Sequence, residues 1–283
     1  MSDHPPLGVY VHWPYCARIC PYCDFNVVRD RGRTAEQAQL ADAIVADLIA
    51  QRALTGPRRL LSIFFGGGTP SLMDPAQVAR VIETARRLWS PVEDLEISLE
   101  ANPTDAEAGR FPALALEDVL AMGPEHVSPY QLTIEAGTAF DRAVGRGQLI
   151  VPDEDRAHDL FETTQTVLEA AGFDAYEVSN HAKGEAARSR HNLVYWRGQD
   201  YVGVGPGAHG RLSLAEGRVA TTAHRKIVDY IAAVRDAGVG FERETLNSKE
   251  AAEERLLLGL RIDDGVPFHE VAVLGLSADA AKV

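Results

Sequence analysis

Two hydrophobic periods alternate along the first hundred residues. Leu7 to Trp13 is a short apolar run of β-formers that ends at a group of cysteines. Thr34 to Leu54 carries Ala, Leu and Ile at helical spacing, with Thr34 as its expected N-cap and Gly56-Pro57 beyond its end. Leu60 to Phe65 has the pattern of a buried strand and stops at Gly66-Gly67-Gly68. Asp74-Pro75 opens a second helix, Asp as the cap and Pro at the first helical position. Leu95 to Leu99 is a third strand, closed by Glu100-Ala101-Asn102-Pro103. Strands separated by helices predict parallel pairing through right-handed crossovers.

Beyond Asn102 the rhythm weakens. A weak helix is expected over Leu114 to Met122, a strand over His126 to Leu132, a helix over Asp153 to Ala171 and a strand over Asp174 to Val178. A short strand follows at Tyr201 to Val204, then a hairpin-like polar stretch from Arg211 to Ala220. Helices over His224 to Ala237 and Ser248 to Leu260 suggest a separate C-terminal helical unit, so the expected division is 1–213 and 214–283. The formal GxGxxG of Gly205 to Gly210 lacks the amphipathic helix of a dinucleotide fingerprint and is not read as one.

Composition narrows the classes. A net charge of −13 over 283 residues disfavours nucleic acid, which needs a basic surface to displace counterions from phosphate. Nothing approaches the roughly 18 uninterrupted apolar residues of a membrane span, and no basic-then-apolar leader opens the chain, so a cytoplasmic protein is expected. An odd count of three cysteines within eight residues is no disulfide framework.

That segment, Cys16-Ala-Arg-Ile-Cys20-Pro-Tyr-Cys23, holds every cysteine of the chain. Thiolates so spaced can converge on one small object. A [4Fe–4S] cluster usually takes four cysteines, so three leave one iron open to another ligand. The alternative is a structural zinc completed by His12 or another histidine. Gly66-Gly67-Gly68-Thr69-Pro70 can bring backbone close to a ligand, or can be a plain turn.

CxxxCxxC after a first strand resembles the radical S-adenosylmethionine superfamily. The resemblance implies an α/β, partial TIM-like parallel barrel and a cluster held by Cys16, Cys20 and Cys23. It implies S-adenosylmethionine bound at the open iron, cleaved by one electron to a 5′-deoxyadenosyl radical. Gly67, Gly68 and Thr69 would hold the methionine end of that cofactor, Tyr10 would pack against it, and Glu100 would face the same mouth. Tyr10-Val-His12-Trp-Pro14, Ser128-Pro-Tyr130, Tyr176-Glu177-Val-Ser-Asn180, His191-Asn-Leu-Val-Tyr195-Trp196 and Gly203-Val-Gly-Pro-Gly-Ala-His209 are similar to the oxygen-independent coproporphyrinogen III oxidase-like family.

The oxidases carry one more cysteine two residues after the third, where this chain has Phe25; the His191 segment instead resembles the HemW heme-chaperone branch. A chaperone implies heme as cargo, a heme-acceptor protein and an electron donor as partners. His191 and Tyr195 are candidate heme-iron ligands, Trp196 a flat wall; the alternative is that this run satisfies internal hydrogen bonds. His209 has the same ambiguity and can lie against the adenosine. Against relatives the chain is shortened near 103–125 by about two β/α units, at roughly 30 residues per unit. Such a loss exposes strand edges and apolar helix faces. Besides the chaperone, decarboxylation of coproporphyrinogen III and a non-catalytic iron–sulfur scaffold remain open.

Overall fold

The computed structural model describes residues 4–101, 116–131 and 133–276. The weak helix expected from Leu114 starts partly outside them, as does Leu132, the expected last residue of a strand.

In chain order the elements are β1 (Pro6–Trp13), β2 (Tyr15–Cys16), β3 (Val28–Arg29), α1 (Thr34–Thr55), β4 (Arg59–Gly67), α2 (Pro75–Leu88) and β5 (Ser90–Leu99). Then come α3 (Leu116–Ala121), β6 (His126–Val127), α4 (Ala139–Gly145), α5 (Glu154–Ala170), β7 (Asp174–Glu177), β8 (Asn180–Ala182) and α6 (Arg190–Trp196). The last are β9 (Asp200–Val204), β10 (His209–Leu214), β11 (Gly217–Ala223), α7 (Ile227–Ala237), β12 (Phe241–Thr245) and α8 (Ser248–Gly259).

Seven strands form the main sheet in the order β12-β11-β10-β9-β1-β4-β5. Its half β9-β1-β4-β5 is parallel, as the alternation of strand and helix predicts, and β10 to β12 add an antiparallel meander. The expected hairpin after Gly210 is β10–β11, with Arg211 opposite Ala220. The sequence pattern predicts a helical unit from residue 214 onward; in the structure β11 and β12 extend the same sheet, and α7 packs on α1.

Period-two alternation divides β1 between two environments. Leu7, Val9, Val11 and Trp13 join one core with Leu40, Ile44 and Leu48 of α1, Val81 and Ala85 of α2, and Val202 and Val204 of β9. Gly8, Tyr10 and His12 face the other way, into the concave side of the sheet.

Two boundaries differ from the sequence pattern. The N-cap of α1 is Arg33, without a side-chain cap, and Thr34 is already helical; Thr34 N–H instead donates to Gly32 O at 3.0 Å in the preceding turn. Helix α7 begins at Ile227 rather than His224, because His224 N–H donates to Gly240 O (3.0 Å) in the approach to β12. Asp74 caps α2 as expected, its carboxylate accepting from Ala76 N–H at 2.7 Å.

After β5 the parallel pairing stops. The His126 strand is two residues long and belongs to a separate antiparallel sheet, β6-β8-β7, because Ser128 turns its hydroxyl to Asn180 (2.7 Å) instead of continuing the ladder. Among the described residues β5 pairs only with β4. Ile97 and Leu99 of β5 are exposed, as are Leu160 and Phe161 of α5.

Candidate functional site: a cleft at the mouth of the parallel strands

The concave face is built in layers by the register of the strands. Gly8 lies beside Ser62 and Tyr201, and Tyr10 beside Phe64 and Gly203. Helix α6 plugs the lower layer. Its first N–H groups, those of Arg190 and His191, donate to the Glu96 carboxylate of β5 at 2.8 and 3.0 Å, a favourable place for negative charge. His191 is thereby laid flat on Phe64 (ring centroids 4.9 Å, 17°). Its Nδ1 bonds Ser62 Oγ at 2.8 Å and its Nε2 bonds Tyr195 Oη at 2.7 Å. Burial pushes its pKa down to about 3, so the ring is neutral.

Above this plug opens a cleft of about 540 Å³ at the C-terminal ends of β1, β4 and β5. Tyr10, His12, Gly67, Glu100, Tyr195 and Tyr201 form one side, and Phe25, Asn26, Gly207, His209, Thr222 and Arg225 the other. Parallel-strand folds place ligands at this end. Tyr10 Oη bonds His12 Nδ1 (3.0 Å), and His12 Nε2 bonds Asn26 O (2.9 Å). Asn26 Nδ2 donates to the carbonyls of Pro206 and Arg225, each at 2.8 Å, and so ties the cysteine loop to the turn after β9. Desolvation lowers the pKa of His12 and His209 and raises that of Tyr10 and of the Glu100 carboxyl.

The glycine segment serves the cleft differently from the expectation. Gly68 N–H donates to Trp13 O and Thr69 N–H to Tyr15 O, both at 2.8 Å, and Gly67 N–H donates to Glu100 Oε2 at 3.3 Å. The Gly68 and Thr69 amides therefore clamp the Trp13–Tyr15 backbone, and the Gly67 amide is already taken by the Glu100 carboxylate. A Cβ on Gly68 would stand 2.7 Å from Tyr15 O and 2.8 Å from Trp13 O; on Gly67, where φ is +104°, it would meet the His12 ring at 2.5 Å. What remains for a ligand at the rim is an acceptor, the Glu100 carboxylate. The buried Thr69 hydroxyl has no hydrogen-bond partner among the described residues.

The cysteine loop hangs from the same clamp. β2 pairs with β3, and Asp30 N–H donates to Cys16 O (2.7 Å), closing the loop at its base. Its tip docks on α4, where Phe140 N–H reaches Pro21 O (3.0 Å) and Tyr22 meets the Phe140 ring. Cys16 is buried and Cys20 and Cys23 are half-buried; no disulfide joins them. This donor set suits an iron–sulfur cluster: three thiols on one loop, beside a cleft with a carboxylate and an orphaned hydroxyl. For a single zinc the fit is poor. Three thiols leave a structural zinc short of its usual fourth ligand. Both nitrogens of His12 are engaged as well.

Of the residues singled out by sequence, Tyr10, Gly67, Glu100, Tyr195 and His209 line the cleft. Gly68 and Thr69 stand behind it as clamp residues. His191 lies beneath, 1% exposed, both ring nitrogens bonded within the protein. Tyr195 reaches the cleft by its ring, but its hydroxyl is committed to His191. The geometry thus matches the internal hydrogen-bond alternative for this pair, not iron ligation. Asn26, Thr222 and Arg225 escaped the sequence reading. Asn26, three residues past Cys23, had a local signal; Thr222 and Arg225 come from a distant hairpin and had none.

Residues 10–150 match the Radical SAM superfamily. The chain is 31% identical to the mitochondrial radical S-adenosyl methionine domain-containing protein 1 of Danio rerio, across 98% of this chain and 77% of that protein. It is also 31% identical to the heme chaperone HemW of Haemophilus influenzae, across 100% of this chain and 90% of that one. This second alignment runs over 357 positions against 283 residues here, so that relative carries internal sequence this chain lacks. The fold is like that of the Escherichia coli coproporphyrinogen III oxidase HemN, a radical SAM enzyme, with a TM-score of 0.73 over 99% of this chain and 84% of that one, at 16% identity. By sequence and fold together, the chain belongs to the radical S-adenosylmethionine superfamily, in the family of the HemW heme chaperones and radical S-adenosyl methionine domain-containing protein 1.

Proposed function

We propose that this protein carries a [4Fe–4S] cluster on Cys16, Cys20 and Cys23, binds S-adenosylmethionine in the adjoining cleft, and acts as a chaperone that binds heme and hands it to an acceptor protein. The carrying observation is that one loop serves both halves of the site. It carries all three thiols of the chain and, through Phe25 and Asn26, lines the cleft.

When bound, the cluster and cofactor supply one-electron cleavage of a sulfonium carbon–sulfur bond. The residues of the chain bind and orient. Glu100 offers a carboxylate acceptor to the ammonium group of the methionine moiety. Arg225, which lines the same cleft, supplies a cation for its carboxylate. Tyr10 and Tyr201 present aromatic surface, and His12, kept neutral by burial, holds Tyr10 and Asn26 in place.

Heme as cargo is supported by the chaperone relatives and by Phe25 in place of a fourth cysteine. The reading keeps an electron donor and a heme acceptor as partners. It keeps a reducing compartment such as the cytoplasm, where cysteines outside disulfides persist; no helix among the described residues is long and apolar enough to cross a membrane. The test is anaerobic reconstitution followed by titration with S-adenosylmethionine and with heme. Saturable binding of both, with no protoporphyrinogen formed from coproporphyrinogen III, is the expected result. Protoporphyrinogen formation would replace the chaperone with the oxidase, and absence of heme binding would remove the cargo.

A further inference from the structure

Helix α1 carries two buried polar side chains one turn apart on its core face, Asp47 and Gln51, both 0% exposed. Among Leu40, Ile44 and Leu48 an ionisable group is costly, and its retention needs a reason. Asp47 Oδ2 accepts from Tyr230 Oη at 2.7 Å, and Asp47 Oδ1 accepts from Gly240 N–H at 3.3 Å. The Tyr230 oxygen in turn accepts from Gly205 N–H at 3.0 Å. Gln51 reaches the same region directly, its Nε2 donating to Gly203 O at 3.3 Å.

Gly205 is the hinge of the turn that follows β9. Its φ is +102°, and a Cβ there would stand 2.2 Å from His12 O, so the turn lies directly on the end of β1. The next residues form a wall of the cleft: Pro206 O accepts from Asn26, and Gly207 and His209 line the cavity. An unbroken series of contacts therefore leads from a buried carboxylate through a phenol to the Gly205–His209 wall, which Asn26 ties to the cysteine loop. None of its members before Gly205 touches the cleft.

We propose that Asp47 and Tyr230 are positioning residues for the cofactor cleft, fixing the Gly205–His209 turn so that the wall is preformed before an adenosyl ligand enters. This rests on the reading of the cleft as the S-adenosylmethionine site. Tyr230→Phe removes the oxygen that receives Gly205 N–H while keeping the ring. One lost hydrogen bond of about 1 kcal/mol corresponds to roughly tenfold or less in affinity when it is coupled to binding.

The test uses the full chain, reconstituted anaerobically, with two readouts: calorimetric affinity for S-adenosylmethionine and hydrogen exchange of the peptide covering residues 203–209. Tyr230→Phe is expected to weaken affinity by several-fold to about tenfold and to speed exchange of that peptide about tenfold. Asp47→Asn retains a carbonyl that accepts from Tyr230, and the expected loss of affinity is smaller, about twofold to threefold. Val234→Ala, a buried truncation on the same helix as Tyr230, lowers the melting temperature but is expected to leave both readouts unchanged. Should Tyr230→Phe not fold, Asp47→Asn carries the same readouts. A stable variant with lowered melting temperature but unchanged affinity and exchange would overturn the proposal and leave a purely structural pair. If the wild type itself binds no S-adenosylmethionine, the reading of the cleft fails; the exchange arm still decides whether the pair anchors the turn.

Discussion

Replacing Gly68 by alanine probes the clamp between the glycine segment and the cysteine loop. The backbone at Gly68 has φ outside the positive region, so the cost is purely steric. The new Cβ would lie 2.7 Å from Tyr15 O, 2.8 Å from the Pro14 carbonyl carbon and 2.8 Å from Trp13 O. All three are backbone atoms, which no rotamer change can move aside. Overpacking of this kind costs about 1–3 kcal/mol. Relief by separation weakens the bonds from Gly68 to Trp13 and from Thr69 to Tyr15, at about 1 kcal/mol for each bond lost. A total of about 3–5 kcal/mol follows, or roughly 6–20 °C in melting temperature for a chain of this size. Because Cys16 follows Tyr15 directly, the displacement also reaches the first cluster ligand. Thermal melting and iron content after reconstitution give the assay, with Gly145→Ala as control, since a Cβ there meets nothing within 4 Å. Gly68→Ala with unchanged melting temperature and full iron would refute the clamp.

Three further outcomes are expected. Glu100→Gln should weaken S-adenosylmethionine binding about tenfold or more by removing the rim charge, while the amide oxygen still serves Gly67 N–H and melting is unchanged; equal affinity would take Glu100 out of the site. His191→Ala should cost about 2–4 kcal/mol, since it empties a stacked position and orphans Ser62 and Tyr195. The Soret spectrum of the heme-loaded folded protein should be unchanged; a lost axial-ligand band at wild-type stability would restore His191 as a ligand. Asp47 has a folded pKa of about 6 against 3.8 unfolded, so the native state binds the extra proton. Its contribution is present in full below pH about 4 and is lost as pH rises through 6, roughly 3 kcal/mol. Denaturant unfolding at pH 4 and 7 should therefore differ between wild type and Asp47→Asn by about that amount, and equal pH dependences would contradict it.

The parallel half of the sheet was legible because its signals are local. β1 and β4 bury their apolar residues at period two or as short runs, and Asp74-Pro75 marks the start of α2 within one turn. Thr34 was mistaken for a cap because capping depends on the backbone preceding the helix, which the Gly32 turn sets. The cysteine loop stands out in sequence by its spacing, and in the structure it lies beside the cleft through Phe25 and Asn26. The glycine segment was read as a ligand cradle because composition reports close approach, not what is approached; here the approached object is chiefly the chain itself. His191 and Tyr195 look the same in sequence whether exposed to a ligand or folded under α6. Only the Glu96 contact across the sheet turns them inward. Thr222 and Arg225 reach the cleft from a hairpin two hundred residues away from Cys23 in sequence, a juxtaposition that no local pattern encodes.

The most direct test is iron and sulfide analysis, with electron paramagnetic resonance of the reduced protein, after anaerobic reconstitution of the wild type and of the triple variant Cys16→Ser, Cys20→Ser, Cys23→Ser. The wild type should hold about four irons and four sulfides per chain and change its spectrum when S-adenosylmethionine is added, and the variant should hold none. Equal iron in both, or none in the wild type, would contradict the account at its base.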